Sequence, residues 1–428
     1  MNTGNRNPIA WVPTVYFAMG IPYIAISLVS SLMFKDMGIS DTEIAFWTSL
    51  LVLPWSLKPF FSLIMELVGT KKQYLVFAEF IISLMFGLIA FSLHLPSFFT
   101  ISIMLMGALA ICGSTQDIAG DGLYLTELSK KQQGQYAGWQ GAFYNLAKIL
   151  TNGGLVYLAG VLGDHYGVAK GWAFIMFICG VLILLLAIYH SWVLPSGRRA
   201  VTDYEATHSK LTFKEAMKEF GEVFRTFFVK KHIFYYIFFI IMYRFAEGLA
   251  LKIAPLFLKA DIAMGGLGLS NRQYGLIYGT FGSLAFIIGS ILSGYYISYF
   301  GLKKTLFSLA LIFNVQFIVY MLFAIYQPSS MVWISVGIIL EYFAFGSGFV
   351  GLMLFMMQQI APGKYQMAHY AFATSIMNLG YMIPGMISGK LSTMLGYKNF
   401  FIVVVCLTIL PLITTYFVPF THADKAEE

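Results

Sequence analysis

The chain has 428 residues, 58 % hydrophobic and only 11 % charged, with a mean hydropathy of +0.75. Soluble domains carry about 25 % charged residues, so this composition excludes a soluble globular protein and specifies one embedded in a bilayer. The net charge of +7 does not point to nucleic acid, because the basic residues sit mostly in short segments between apolar stretches rather than along one stripe.

An apolar span of about 20 residues recurs twelve times. The spans are expected near 11–34, 44–68, 73–94, 98–125, 136–162, 171–194, 232–258, 274–298, 305–326, 330–356, 366–393 and 400–420. The first follows Arg6 closely, is too long for a signal h-region and lacks a small-residue cleavage site, so it is expected to stay as a helix. Pro22, Pro54, Pro59, Pro255 and Pro384 fall inside spans, as kinks rather than breaks. Cys112, Cys179 and Cys406 all lie in spans, which leaves no disulfide framework and reads them as small buried hydrophobes.

One connection is long. Residues 195–231 are polar and basic, and they divide the chain into 1–194 and 232–428, six spans each. Within this segment Phe213, Met217, Phe220, Phe224 and Phe227 recur at helical spacing, after a Thr212/Glu215 capping-box pattern. A helix lying on the membrane surface is expected there, with partner binding as the other reading. Segments on the side of both termini hold 17 of the 27 Lys and Arg residues, and the opposite loops hold five, which predicts cytoplasmic termini.

The halves repeat weakly. Glu66-Leu67-Val68-Gly69-Thr70-Lys71-Lys72 ends the second span, and Ser298-Tyr299-Phe300-Gly301-Leu302-Lys303-Lys304 ends the eighth. Gly160 aligns with Gly389 and Gly167 with Gly396. Two related halves around a midplane site describe many secondary transporters. The run of Glu66, Gly69, Lys71 and Lys72 resembles the signature between helices two and three of the major facilitator superfamily, with Leu67 in place of the usual arginine. The resemblance implies an all-α membrane protein with twelve transmembrane helices in two pseudo-symmetric six-helix bundles.

Six charges fall near mid-span: Lys58, Asp117, Lys148, Arg244, Glu247 and Glu341. Facing lipid they would cost roughly 15–20 kcal/mol on an insertion scale, so they must face one another or water. The resemblance places all six on helices that line or flank a central cavity. Asp117 and Asp121, four apart, share a helix face, but Asp117 lies deeper. Asp117, paired with Lys58 or Lys148, is the first candidate for proton coupling. Glu247 and Glu341, sharing Arg244, are the second. Asp121 and Glu127 fall at the level of Glu66, Gly69, Lys71 and Lys72, where a cytoplasmic gate is expected. Static ion pairs that fix helix register are the competing reading for each pair.

Gln116, Asn145 and Asn378, with Tyr23, Tyr144, Tyr243 and Tyr342, are candidate solute contacts, although helix packing accounts for each one alone. Trp47, Trp139, Trp172 and Trp333 sit near span ends and read as an interfacial belt. Glu79, Lys252 and Lys390 are expected to snorkel toward span ends.

The segment Ser114-Thr115-Gln116-Asp117-Ile118-Ala119-Gly120-Asp121 resembles the fourth-helix signature of AmpG-type muropeptide permeases and the related acetyl-CoA transporters. Pro54-Trp55-Ser56-Leu57-Lys58-Pro59 is similar to that family's lysine-containing second helix. The implied activity is proton-driven import of amino-sugar or muropeptide solutes across a bacterial inner membrane by a monomer. The chain departs at Gly122, Leu125 and Thr126, which bears on the solute more than on the fold. An exporter of drugs or metabolites, or an acetyl-CoA-like solute, is the alternative. No metal, cofactor or nucleic acid is expected. The seven histidines are scattered, and no nucleophile elbow or phosphate loop argues for an enzyme.

Overall fold

Local sequence sets where each helix starts. Ser40, Thr70, Ser129 and Ser270 each accept a hydrogen bond from the backbone N–H three residues on, and the last three form full capping boxes with Gln73, Gln132 and Gln273. A computed structural model describes residues 7–67, 70–195, 213–363 and 365–422. They form α1 (Pro8–Asp36), α2 (Asp41–Leu50, Leu53–Ser56 and Lys58–Leu67), α3 (Lys71–Ser92), α4 (Phe98–Glu127), α5 (130–166) and α6 (Val168–Val193). After the central segment come α7 (Phe213–Phe228), α8 (Ile233–Lys259), α9 (Asn271–Phe300), α10 (Leu302–Tyr326), α11 (Met331–Ile360), α12 (366–395) and α13 (397–416). All but α7 are spans, so the expected twelve are present as two six-helix bundles. Several run a turn longer than expected, because the caps lie outside the apolar stretch.

The aligned glycines have a backbone reason. Gly167 (φ 94°, ψ 152°) joins α5 to α6, and Gly396 (φ 70°, ψ 158°) joins α12 to α13. A side chain is strained at such a φ, so each reversal without a loop selects glycine.

Twelve spans bring Asn7 and His422 to the same end of the molecule, called here the termini end. The two bundles close against each other at the far end. Lys259 of α8 and Asn271 of α9 both donate to Asp36 of α1, which also accepts from Trp172 Nε1 at 3.0 Å. Arg272 pairs with Asp164 at 2.7 Å, and Tyr397 donates to Asp41 at 2.5 Å. Deeper in the seam, α5 and α9 widen into π turns at Ile149–Leu155 and Gly275–Gly282. They touch so closely that a Cβ on Gly279 would lie 2.2 Å from the Asn152 carbonyl oxygen. Toward the termini end solvent enters: Asp121 is exposed, and the Lys58 side chain keeps 29 % of its surface.

Several expectations change. The α7 helix packs part of its apolar face on protein, while Met217 and Phe224 each stay 44 % exposed. Phe227 is 1 % exposed, and Phe220, Phe224 and Phe227 ring Phe372 of α12 at 5.4–6.0 Å, while Phe220 also meets Phe60 of α2 at 5.4 Å. Its capping residue Thr212 lies outside the described residues, as does the side chain of Glu215. Trp172 is buried with its indole N–H on Asp36, so it is not part of a belt; Trp47, Trp139 and Trp333 are exposed. Cys179 is buried, Cys112 half-buried and Cys406 exposed.

Candidate functional site

Three groups of charged side chains occupy the space between and beside the bundles. In the first, the break in α2 at Leu57 turns Trp55 and Lys58 toward α4. Both donate to the same oxygen of Asp117: Trp55 Nε1 at 2.9 Å and Lys58 Nζ at 2.7 Å from Oδ2. The other oxygen, Oδ1, is buried without a hydrogen-bond partner among the described residues. Tyr23 of α1 stands edge-on to Trp55 at 5.1 Å. Lys148 is not a partner of Asp117, because α5 directs it into the other bundle.

The second group lies on α8. Arg244 and Glu247, one turn apart, face each other in a bidentate pair, with Nε to Oε2 at 2.6 Å and Nη2 on Oε1. The Arg244 guanidinium lies over the rings of Tyr381 at 4.9 Å and Phe349 at 5.5 Å. The pair is buried, with Glu247 at 0 % exposure.

The third group joins the bundles. Lys148 of α5 lies over Phe286 at 4.9 Å and Tyr342 at 5.0 Å, across the cleft. Near it on α11 is Glu341, fully buried among Tyr278, Tyr320 and Tyr342. Tyr274, Tyr278 and Tyr342 form a chain of ring contacts at 4.8 Å each. Among the described residues the expected sharing of Arg244 by Glu247 and Glu341 is not found: Arg244 pairs with Glu247, and Lys148 is the cation whose charge acts on Glu341.

Of the remaining expected site residues, Gln116 points away from the cleft. Its Nε2 donates to Glu79 at 3.0 Å, and Glu79 also meets His190 Nδ1 at 2.8 Å, whose Nε2 meets Thr14 at 3.0 Å. Glu79 and His190 are both 0 % exposed. Glu79 therefore does not snorkel; it ties α3, α4, α6 and α1 together inside the first bundle. Lys252 does not snorkel either. It is 2 % exposed and donates across the seam to the Ser27 carbonyl at 3.1 Å and to Thr48 Oγ1 at 3.0 Å. Lys390 is exposed, as expected. Asn145 is half-buried and donates to its own helix at the Gly141 carbonyl, and Asn378 is half-buried on α12. Tyr243 is buried and donates to the Gly348 carbonyl at 2.8 Å.

The expected gate residues separate. Asp121 accepts from Tyr16 at 2.8 Å, and Tyr16 accepts from Gln140 at 2.7 Å. The Lys71 stem covers Gly122, and Lys72 donates to the Leu194 carbonyl at 3.1 Å. Glu127 ends α4, half-buried. Gly69 and the Glu66 side chain lie outside the described residues. Sequence reading missed Trp55, Tyr16, Gln140 and His190 as partners; the one available signal was a polar atom inside a span, which shows need of a partner but not which. Among the described residues no cluster of His, Cys, Asp and Glu could hold a metal.

Known proteins share this architecture. A bacterial homolog of the human lysosomal transporter Spinster, inward-facing and unoccupied, superposes with a TM-score of 0.70 at 15 % identity, covering 97 % of each chain. A D-xylose-proton symporter gives 0.72 at 15 %, covering 96 % of this chain and 97 % of that one. The xylose transporter XylE from E. coli, in an inward open conformation, gives 0.72 at 12 % and 98 % of each. By sequence, the "Putative transporter AmpG 4" of Rickettsia conorii (strain ATCC VR-613 / Malish 7) is 22 % identical over 409 residues, and that of Rickettsia felis (strain ATCC VR-1525 / URRWXCal2) is 23 % identical over 405, each match covering 91 % of both chains. The sequence pattern described as Major Facilitator Superfamily matches residues 14–260, more than half of the chain, and with the fold it establishes that the chain belongs to the major facilitator superfamily of membrane transporters.

Proposed function

We propose that this transporter imports amino-sugar or muropeptide solutes together with protons, by alternating access of the cleft between residues 1–194 and 232–428. The bundles are joined by 195–231, and the molecule works as a monomer in a bacterial inner membrane with both termini cytoplasmic. In that orientation the cleft is open to the cytoplasm and closed outside. The observation that carries the reading is Asp117, held by Trp55 and Lys58 through one oxygen while its second oxygen has no partner among the described residues, beside a cleft that solvent enters. A carboxylate so placed can exchange Lys58 for a proton when the bundles move. Glu247 with Arg244, and Glu341 near Lys148, are the second and third coupling candidates. Aromatic faces at Tyr23, Tyr144 and Tyr342 suit a sugar ring, and cations suit the carboxylates of a short peptide. Likeness to two proteins each named as a putative AmpG transporter supports this reading over a drug exporter.

The test is uptake of a radiolabelled GlcNAc-anhydroMurNAc peptide into right-side-out vesicles under an imposed proton gradient. Accumulation that collapses with a protonophore is expected. Accumulation that persists without the gradient removes proton coupling, and an absence of uptake with folded protein removes the solute. In Asp117→Asn the dependence of uptake on external pH is expected to flatten, with the initial rate down at least tenfold. Wild-type rate and wild-type pH dependence would remove Asp117 from the mechanism.

A further inference from the structure

The far end closes over a lysine. Lys252 of α8 is 2 % exposed and lies about 10 Å deeper along its helix than Lys259 at the closed rim. Glu247 and Arg244 lie deeper still on α8, so a solute entering from the far end passes Lys252 before it reaches them. The Lys252 amine donates to the Ser27 carbonyl at 3.1 Å and to Thr48 Oγ1 at 3.0 Å, both in the other bundle. Thr48 Oγ1 is also 3.3 Å from Ser31 Oγ. A Cβ on Gly385 of α12 would lie 2.6 Å from Ser49 Oγ and 3.1 Å from Lys252 Cγ, so the lysine stem and the Ser49 hydroxyl gather around one glycine. Ser49 Oγ is buried and has no hydrogen-bond partner among the described residues. Among those residues no carboxylate pairs with the Lys252 amine.

Packing alone does not call for this set. An amine buried without a counter-charge weakens a seam that a methionine of similar length would fill. Both acceptors of Lys252 sit across the seam, so parting the bundles removes them together and turns the amine toward the opened far end, with the hydroxyls of Thr48 and Ser49 on the facing wall. Once wet, a lysine amine carries a full positive charge. A cation beside hydroxyl donors is a donor set that a carboxylate takes.

We propose that Lys252, with Thr48 and Ser49, forms an outward-facing capture site for a carboxylate of the incoming solute, used before the solute reaches the mid-cleft charges. When the far end closes, the Ser27 carbonyl and the Thr48 hydroxyl take over the amine, which frees the carboxylate to move inward. The identity of the solute rests on the import of muropeptides proposed above; the anion site does not.

Charge-selective labelling tests the anion site whatever the solute is. The full chain in right-side-out vesicles carries Ser49→Cys as its sole thiol, with Cys112, Cys179 and Cys406 replaced by alanine. It is labelled from outside with an anionic and a cationic methanethiosulfonate, each rate divided by that reagent's rate with a free thiol. The anionic reagent is expected to react at least fivefold faster. Lys252→Met is expected to cancel that preference and Lys252→Arg to keep it. A change in how often the far end opens scales both reagents alike, so a merely structural role for Lys252 leaves the ratio where it was. A ratio that Lys252→Met does not move overturns the inference. Uptake tests the carboxylate, with Ser49 intact. Amidating the peptide carboxylates of the muropeptide is expected to raise KM at least tenfold in the wild type, and to have an effect at least threefold smaller in Lys252→Met. An amidation effect of equal size in both proteins overturns the assignment to a carboxylate, as does inorganic phosphate that protects Ser49→Cys as well as the unmodified muropeptide does. Labelling that follows Lys252 together with no uptake removes the muropeptide as solute and leaves the anion site standing.

Discussion

Lys58 and Trp55 both donate to one oxygen of Asp117, so removing the carboxylate's charge strands a cation rather than merely deleting a contact. Asp117→Asn is expected to lower stability by about 2 kcal/mol, and adding Lys58→Met should recover most of that loss, because a buried pair costs most when broken on one side. Thermal unfolding in detergent checks this; a double variant no more stable than the single would contradict it. His190→Phe leaves the Glu79 carboxylate with Gln116 as its described partner and should cost about 3 kcal/mol. Uptake per folded molecule should stay unchanged, since the network lies away from the cleft. The sequence marks Lys58 and Asp117 plainly, because charges deep in apolar spans must find partners. It does not mark the choice of Lys58 over Lys148, which depends on the rotation of α5. Glu79 and His190 are 111 residues apart, and each sits near a span end where an exposed tip is an equally good reading. Trp172 misleads for the same reason, since a belt tryptophan and a buried one with its N–H on Asp36 look alike in sequence.

At the scale of elements, the seam rests on α5 against α9. Their π turns bring Gly153 and Gly279 into backbone contact, and π turns are often placed where function needs them. Gly279→Leu is expected to hold the far end open. The readout is Ser49→Cys, which lies in the closed seam beside Gly385 and should become at least fivefold more reactive to a membrane-impermeant maleimide. Unchanged labelling would show that this crossing does not set closure. The junctions at Gly167 and Gly396 leave a trace in the sequence, since a positive φ selects glycine; the π turns leave none, because any residue adopts their backbone angles. The α7 periodicity was legible as an amphipathic helix, but Phe372 and Phe60, the rings that receive its apolar face, stand on distant spans.

For the whole molecule, closure at one end and entry of solvent at the other describe one extreme of a rocking cycle. A disulfide between Thr42→Cys and Thr393→Cys, whose hydroxyls meet across the seam, should trap that extreme. Uptake should stop on oxidation and return on reduction, and a cross-linked protein that still transports at the uncross-linked rate would rule out the cycle. Composition, span count and the six-plus-six division were legible because hydrocarbon thickness fixes span length, whereas the closed end was not, since it is made by residues of opposite halves such as Asp36 and Lys259. The closed end is also imperfectly satisfied. Among the described residues, Ser49 Oγ and Thr151 Oγ1 are buried there without hydrogen bonds, and the Lys252 amine donates to two uncharged oxygens. Each such atom regains water when the bundles part, which subtracts from the gain of burying the apolar seam. A fully matched seam would be a resting place from which the protein seldom departs. These dry polar atoms weaken the closed seam and so favour its reopening.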